Sequence, residues 1–139
     1  MLQFSGLVLA LATFMSIWLG HVGVRWLEAQ SVRLEPPMIG LILAGTVLNV
    51  VSFVMPNLSV AGVCSIVGIT LLWDAFELVR QQKRVTKGHA PANPHNPRHA
   101  AILAAHPAAT TAHVLDREPL GRPVAQRAGD GQTAKGALR

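Results

Sequence analysis

The chain has 139 residues, half of them hydrophobic, with 12 basic and 7 acidic side chains and a formal net charge of +5. This is the length of a single domain. The charge is uneven, because the first 80 residues sum to −1 and the last 59 sum to +6. Since no aromatic residue follows Phe76, a basic, base-stacking nucleic-acid-binding domain is excluded.

The first predicted element is a membrane span over residues 2–24. Leu2 to Val24 is a stretch of 23 residues without a charged side chain, and a bilayer core needs about 20 apolar helical residues. A cleaved signal peptide is the alternative. It is disfavoured because no basic segment precedes the apolar run and because the run is too long for a signal sequence.

Two further spans are predicted over residues 37–55 and 58–78. The sequence from 36 to 73 carries no charge, but Pro56 and Asn57 interrupt it with residues that favour a turn. The third span must reach about residue 78 to cross the bilayer. Asp74 and Glu77 then lie near the lipid headgroups, where a carboxylate costs less free energy than at the bilayer centre.

The remaining sequence predicts a tail without a core. Residues 89–139 are rich in alanine, proline, glycine and histidine and poor in large apolar side chains, a composition typical of disorder. A short helix is compatible with residues 98–105. The tail histidines suggest a metal site, but prolines break any continuous helix through them, and a metal site needs fixed geometry. We therefore predict no metal and no cofactor.

These elements define an all-α membrane protein with a three-helix transmembrane domain (1–88) and a disordered tail (89–139). Its orientation follows from its basic residues, because cytoplasmic loops carry an excess of lysine and arginine. The loop between the first two spans carries two arginines, and Arg80, Lys83, Arg84 and Lys87 follow the third span. This pattern predicts an outside N-terminus, a cytoplasmic C-terminus, and contact of Lys83, Arg84 and Lys87 with anionic lipid headgroups.

A cluster of ionisable residues is predicted at the cytoplasmic membrane edge. His21 and Asp74 lie 19 and 16 residues past the starts of their spans, which places both about 24 to 29 Å from the outer face. The predicted cluster contains His21, Arg25, Glu28, Asp74, Glu77 and Arg80. One interpretation is a belt of salt bridges that fixes the helix register. The other is a mouth that binds a proton or a cation, although no ionisable residue lies at mid-depth as a proton relay requires.

Small residues at four-residue spacing predict close helix contacts, because backbones in lipid approach where side chains are short. Ala12, Ser16 and Gly20 form such a stripe in the first span, and Gly40 with Ala44 forms one in the second. Asn49 and Ser52 are expected to hydrogen-bond across helices. Such faces would serve a compact bundle, self-association or binding of another membrane protein.

The segment "LLWDAFELVRQQKRVTKGHAPANP" resembles the end of the last span in a family of short bacterial integral membrane proteins, the domain-of-unknown-function 4491 type. The shared pattern falls on Trp73, Glu77, Gln82, Arg84, Val85, Lys87, Gly88, Pro91, Asn93 and Pro94. The opening "FSGLVLALATF" and His21 are also similar, with Arg25 and Glu28 as further matches. His89 and Ala90 stand where an aromatic pair is expected. The resemblance covers about residues 3 to 97 and implies a bacterial inner-membrane protein without an assigned activity.

We find no enzyme signature in the sequence, because it contains no metal-binding histidine pair on a helix, no phosphate-binding glycine loop and no nucleophile elbow. We therefore expect a membrane protein that is not an enzyme. An accessory or scaffold subunit of a membrane assembly is the favoured function. The alternative is a small oligomeric ion or metabolite conduit, with the layer of His21, Asp74 and Glu77 as its inner mouth.

Overall fold

A computed structural model describes residues 4–116. Within this range the chain is helical, with no strand. Four α-helices follow one another: α1 (Ser5–Gln30), α2 (Glu35–Val54), α3 (Leu58–Thr86) and α4 (Pro97–Ala105). A short 3-10 helix covers Val114–Asp116. The chain divides at Lys83 into an N-terminal unit and a C-terminal unit, and each is described by itself.

The first three helices are each long and apolar enough to cross a membrane, which confirms the three predicted spans. Two of them are longer than predicted. Helix α1 has 26 residues and continues to Gln30, and α3 has 29 residues and continues to Thr86. At 1.5 Å per residue they measure about 39 and 44 Å, more than the roughly 30 Å of a hydrocarbon core. The extensions are rich in glutamate, glutamine, lysine and arginine, which are good helix formers and tolerate water.

Helices α2 and α3 form a hairpin. Helix α2 begins at Glu35 with prolines in its first turn, where a missing amide proton costs nothing. The predicted turn at Pro56 and Asn57 is confirmed. The Asn57 side-chain oxygen accepts hydrogen bonds from the backbone N–H groups of Ser59 (3.0 Å) and Val60 (3.2 Å). This is an N-cap, which fixes where α3 begins.

Helices α2 and α3 approach each other closely at two buried glycines. A Cβ atom placed on Gly45 would lie 2.7 Å from the carbonyl oxygen of Gly68, and one placed on Gly68 would lie 2.9 Å from that of Gly45. Asn49 also contacts Gly68, but its side chain donates its hydrogen bond to Gly45 within α2, and Ser52 donates to Asn49. The prediction that Asn49 and Ser52 hydrogen-bond across helices is therefore wrong, because each has a nearer acceptor on its own helix.

Helices α1 and α3 run parallel with a constant register. The Ser59 hydroxyl donates to the Ser5 hydroxyl over 3.0 Å near the start of both helices. Further along, Leu9 packs against Gly62, and Asp74 packs against Gly20. Each contact joins a residue of α1 to one that lies 53 or 54 positions later in α3. Residues with that separation therefore lie at equal depth.

Most large apolar side chains of α1 and α2 are exposed, Phe14, Trp18, Leu43 and Val50 among them. A protein in water would not leave so much apolar surface uncovered. In a bilayer the same side chains face hydrocarbon, which is as apolar as leucine. The exposed surface is therefore what a membrane-embedded helix bundle requires.

The C-terminal unit has a small core of its own. Val85, Ala90, Ala92 and Ile102 are buried together, with Leu103 and Ala109 packed against them. Gly88 has φ 71°, a left-handed conformation that suits glycine at a helix C-terminus, and His89 N–H donates to the Arg84 carbonyl at 2.7 Å. Asn96 caps α4 by accepting from Arg98 N–H at 2.9 Å, and α4 matches the short helix predicted at 98–105.

The structure thus differs from the disordered tail expected over 89–139. Residues 89–116 pack with short side chains and hydrogen bonds, such as the one from Ala92 N–H to the Thr110 carbonyl at 2.9 Å. Composition alone missed this, because it counts large apolar side chains and gives no weight to polar groups that pair with the backbone. Residues 117–139 of the predicted tail lie outside the described residues.

The glycine contact gives a direct test of the hairpin. We expect Gly45→Ala to destabilise the purified protein by about 1 to 3 kcal/mol, because its new methyl group meets the backbone of α3, which cannot turn away. Gly40→Ala is the matched control on the same helix, since nothing lies within 4 Å of a Cβ atom there. Equilibrium unfolding in detergent measures both. Equal stability of the two variants would contradict the contact.

Candidate functional site

The predicted polar layer lies toward the C-terminal ends of α1 and α3. Gly20 contacts the carboxylate of Asp74 directly, with a Cβ atom at Gly20 placed 2.7 Å from Oδ2 and 2.8 Å from Oδ1. His21 is the next residue of α1. The charge of Asp74 is within electrostatic range of both His21 and Glu77. In the α1–α3 register His21 lies about level with Asp74, and Glu77 lies almost one turn further along α3.

The charges of this layer are sorted by sign. The acidic residues Glu28, Asp74 and Glu77 are buried, with 1, 8 and 6 % of their surface exposed. The exposed residues of the layer are the histidine His21 and the two arginines, Arg25 and Arg80. Long cationic side chains can place their charge in water while their stems lie on apolar surface, whereas a shorter carboxylate stays beside its own helix.

One ion pair of the layer is local to α3. Arg80 Nε lies 3.6 Å from Glu77 Oε2, one helical turn away, and the Arg80 side chain is half exposed. The Arg80 guanidinium also lies 5.9 Å from the centroid of the Phe76 ring, and Phe76 contacts Trp73 with ring centroids 5.6 Å apart. A half-exposed pair of this kind contributes less than about 1 kcal/mol.

The belt interpretation requires every charge of the layer to have a partner. Arg25 is exposed and makes no ion pair with any residue in 4–116. The Asp74 carboxylate likewise has no hydrogen bond or ion pair within that range. Glu28 and Glu77 do have polar partners. The predicted belt of salt bridges is therefore only partly formed, and Asp74 lies in a different environment.

That environment is a groove between α1 and α3, with a cavity volume of about 390 Å³. Residues of α1 form one wall, in which the small Ala12, Ser16, Gly20 and Gly23 alternate with larger apolar side chains, and Leu41 of α2 borders it. The opposite wall is a single face of α3 that runs from Val63 to Asp74. The groove starts one turn after the Leu9 contact with Gly62. Its lining on α3 ends at Asp74, whereas its lining on α1 continues to Leu27.

The groove was not predicted from the sequence. The sequence predicts tight helix packing along the stripe of Ala12, Ser16 and Gly20, and Gly20 lies directly against Asp74 of α3. Ala12 and Ser16 instead border open space. The distinguishing signal is that Val63 and Val67 face the stripe, because their short branched side chains do not fill the gap that glycine, alanine and serine leave.

The basic cluster after the third span differs in exposure among its members. Lys83 and Lys87 are exposed, whereas Arg84 is only partly exposed and has a polar partner. Contact with lipid headgroups therefore remains a prediction for all three and is geometrically simplest for the two lysines.

The tail histidines described in the C-terminal unit do not lie together in a cluster. Among residues 4–116 no three histidine, cysteine, aspartate or glutamate side chains converge as a metal site would require. His99 is fully buried, its Nδ1 accepts a hydrogen bond from Asn93 N–H at 2.8 Å, and its Nε2 lies 3.0 Å from Arg98 Nη2. Both ring nitrogens of His99 therefore hold the fold of this unit.

Comparison with known proteins adds one finding. The model of the family DUF4491, a domain of unknown function, matches residues 3–96. No curated protein matches, and no solved structure does. The matched range covers the three apolar helices and Gly88, whose left-handed backbone explains the glycine in the pattern that ends the last span.

Proposed function

We propose, from the premise that the chain belongs to the DUF4491 family, that it is a non-enzymatic accessory or scaffold subunit that binds another transmembrane helix. One observation carries this proposal. The small-residue pair of Gly40 and Ala44 is exposed on α2, and nothing lies within 4 Å of a Cβ atom at Gly40.

The same helix supplies a comparison for that face. At Gly45, one position beyond Ala44, the α2 backbone lies directly against α3. Glycine therefore already acts as a helix-packing residue in this chain, and Gly40 with Ala44 offers a second site of the same type on a different side of α2. In lipid, association depends on such close approach rather than on the hydrophobic effect. A helix from a second copy or from another membrane protein suits this face.

A bulky substitution tests this surface. We expect Gly40→Ile to abolish co-purification of the bound partner, or self-association, in mild detergent, because a branched side chain keeps a second backbone away. The protein itself should fold normally, since Gly40 has no internal neighbour. Affinity purification followed by mass spectrometry, with chemical cross-linking for self-association, provides the measurement.

Gly6→Ile is the matched control, because Gly6 also has nothing within 4 Å of a Cβ atom but lies on α1. It should retain the partner. If Gly40→Ile retains partners and oligomeric state while Gly6→Ile does too, the α2 face is not the binding surface and the proposal is wrong.

For orientation, we propose a bacterial inner-membrane location with the N-terminus outside and the C-terminus cytoplasmic. The distribution of arginine and lysine supports this. The exposed Trp18 and Trp73 lie at nearly equal depth in the α1–α3 register, which suits a membrane interface at that level, since indole rings prefer interfaces.

Single introduced cysteines test this orientation in a Cys64→Ala background, which removes the native thiol. Asn57→Cys should react with a membrane-impermeant maleimide in intact cells, because the α2–α3 turn faces outside. Lys87→Cys should react only after the cells are opened. Labelling of both sites from the same side would contradict the layout.

Anionic lipid headgroups are the proposed partners of the basic cluster. Lys83 and Lys87 are exposed, and each basic residue near an anionic surface contributes about 1 kcal/mol. Arg84 is included because it completes the cluster in sequence.

A small oligomeric conduit is the second candidate function. It is favoured by the placement of Asp74 within electrostatic range of His21 and Glu77, which together could form an inner mouth with negative potential. In this case Glu77→Gln should change ion flux through proteoliposomes. Glu35→Gln, the same substitution at the start of α2, should not. Unchanged flux with Glu77→Gln would exclude the conduit and leave the scaffold proposal standing.

A further inference from the structure

The groove between α1 and α3 has the chemistry of a binding site. Its volume of about 390 Å³ falls within the roughly 300 to 1,000 Å³ of small-molecule sites. Only three polar side chains line it, Ser16, Thr70 and Asp74, and Asp74 is the one that can carry a charge. An apolar cleft with a single charged side chain in its lining matches an amphipathic ligand.

The state of Asp74 is a second, independent observation that points to a ligand. It is more than nine-tenths buried, yet it has no hydrogen bond or ion pair within residues 4–116. Buried carboxylates are normally paired. Across the interface its carboxylate lies against Gly20, which has no side chain to offer. The unused acceptor therefore borders the groove.

The other polar groups at or near the groove do not pair with the Asp74 carboxylate. Thr70 donates its hydroxyl to the Ile66 carbonyl at 2.8 Å. Ser16 lies one turn further out on α1. His21 is exposed and interacts with Asp74 only through its charge, and Glu77 is acidic and would repel an anion. The complementary ligand group is thus a cation with N–H donors.

We propose that this groove binds a lipophilic ammonium compound, with its hydrocarbon chain along the Ala12 to Gly20 wall and its ammonium group on Asp74. From Ala12 to Gly20 the wall is about 12 Å long, which suits a medium-length alkyl chain. The ligand enters sideways from the bilayer and points its charge toward the cytoplasmic side. This site is separate from the α2 face of the scaffold proposal.

The test uses the full chain in phosphatidylcholine nanodiscs with two probes of equal chain length, n-decylammonium and n-decanol. Binding is followed through the methyl resonances of Val67 and Leu71, which line the groove, with the exposed Leu43 as an internal reference. We expect n-decylammonium to saturate the groove at a mole fraction about tenfold lower than n-decanol, the advantage of a charged hydrogen bond over a neutral one.

Three variants decide the role of Asp74. Asp74→Asn should remove the preference for the amine and keep n-decanol binding. Gly20→Ala should weaken amine binding with the charge retained, because its methyl group displaces the carboxylate. Gly6→Ala, remote from the groove and without internal neighbours, should bind as the unmodified chain does.

The proposal is overturned if n-decanol and n-decylammonium saturate the groove equally, or if Asp74→Asn keeps the preference for the amine. Should Asp74→Asn fail to fold, Gly20→Ala decides alone, and amine binding as tight as that of Gly6→Ala would overturn the proposal.

Discussion

The approach of Gly45 to Gly68 is the contact on which the N-terminal unit depends. Apolar side chains gain nothing from burial when the surrounding solvent is hydrocarbon, so helices in a bilayer associate through backbone proximity and dispersion. Gly45 and Gly68 lie at similar distances from the turn at Asn57, and the Asn57 cap fixes where α3 begins. Together they define the position of α3, against which α1 then aligns.

The alignment of α1 determines the chemistry of the layer. The contacts at Ser5, Leu9 and Gly20 hold one register from the N-terminal part of α1 to its C-terminal part. At the last of them a glycine faces a carboxylate. This leaves Asp74 buried against backbone alone, and the small residues before Gly20 leave the adjacent groove open. A membrane protein can retain such an arrangement because lipid chains occupy space that water would not enter favourably.

Counting residues along the chain was sufficient to predict how deep a residue lies in the membrane. It was not sufficient to predict how each helix is rotated about its axis. The length between Leu58 and Asp74 predicts the level of the carboxylate in any straight helix, which is why the shared layer of His21 and Asp74 could be predicted. Which residue faces Asp74 depends on how α1 is turned, and several small residues of α1 were equally suitable. Asn49 and Ser52 illustrate a related difficulty, since their own helix offers acceptors at shorter range than any neighbour. In residues 89–116, hydrogen bonds to His99 and Asn96 substitute for the apolar volume that the sequence lacks.

The parallel register of α1 and α3 has a consequence for how sequences of this kind can change in length. Inserting one residue in α3 between Gly62 and Asp74 would rotate the carboxylate by about 100° and move it about 1.5 Å along the axis, away from Gly20. The connection at 31–34 carries no such constraint, whereas the turn at 55–57 holds the Asn57 cap and the pairing of Gly45 with Gly68. Insertions and deletions in related chains should therefore accumulate in the connection at 31–34, while the spacing from Leu9 to Gly20 and from Gly62 to Asp74 stays fixed.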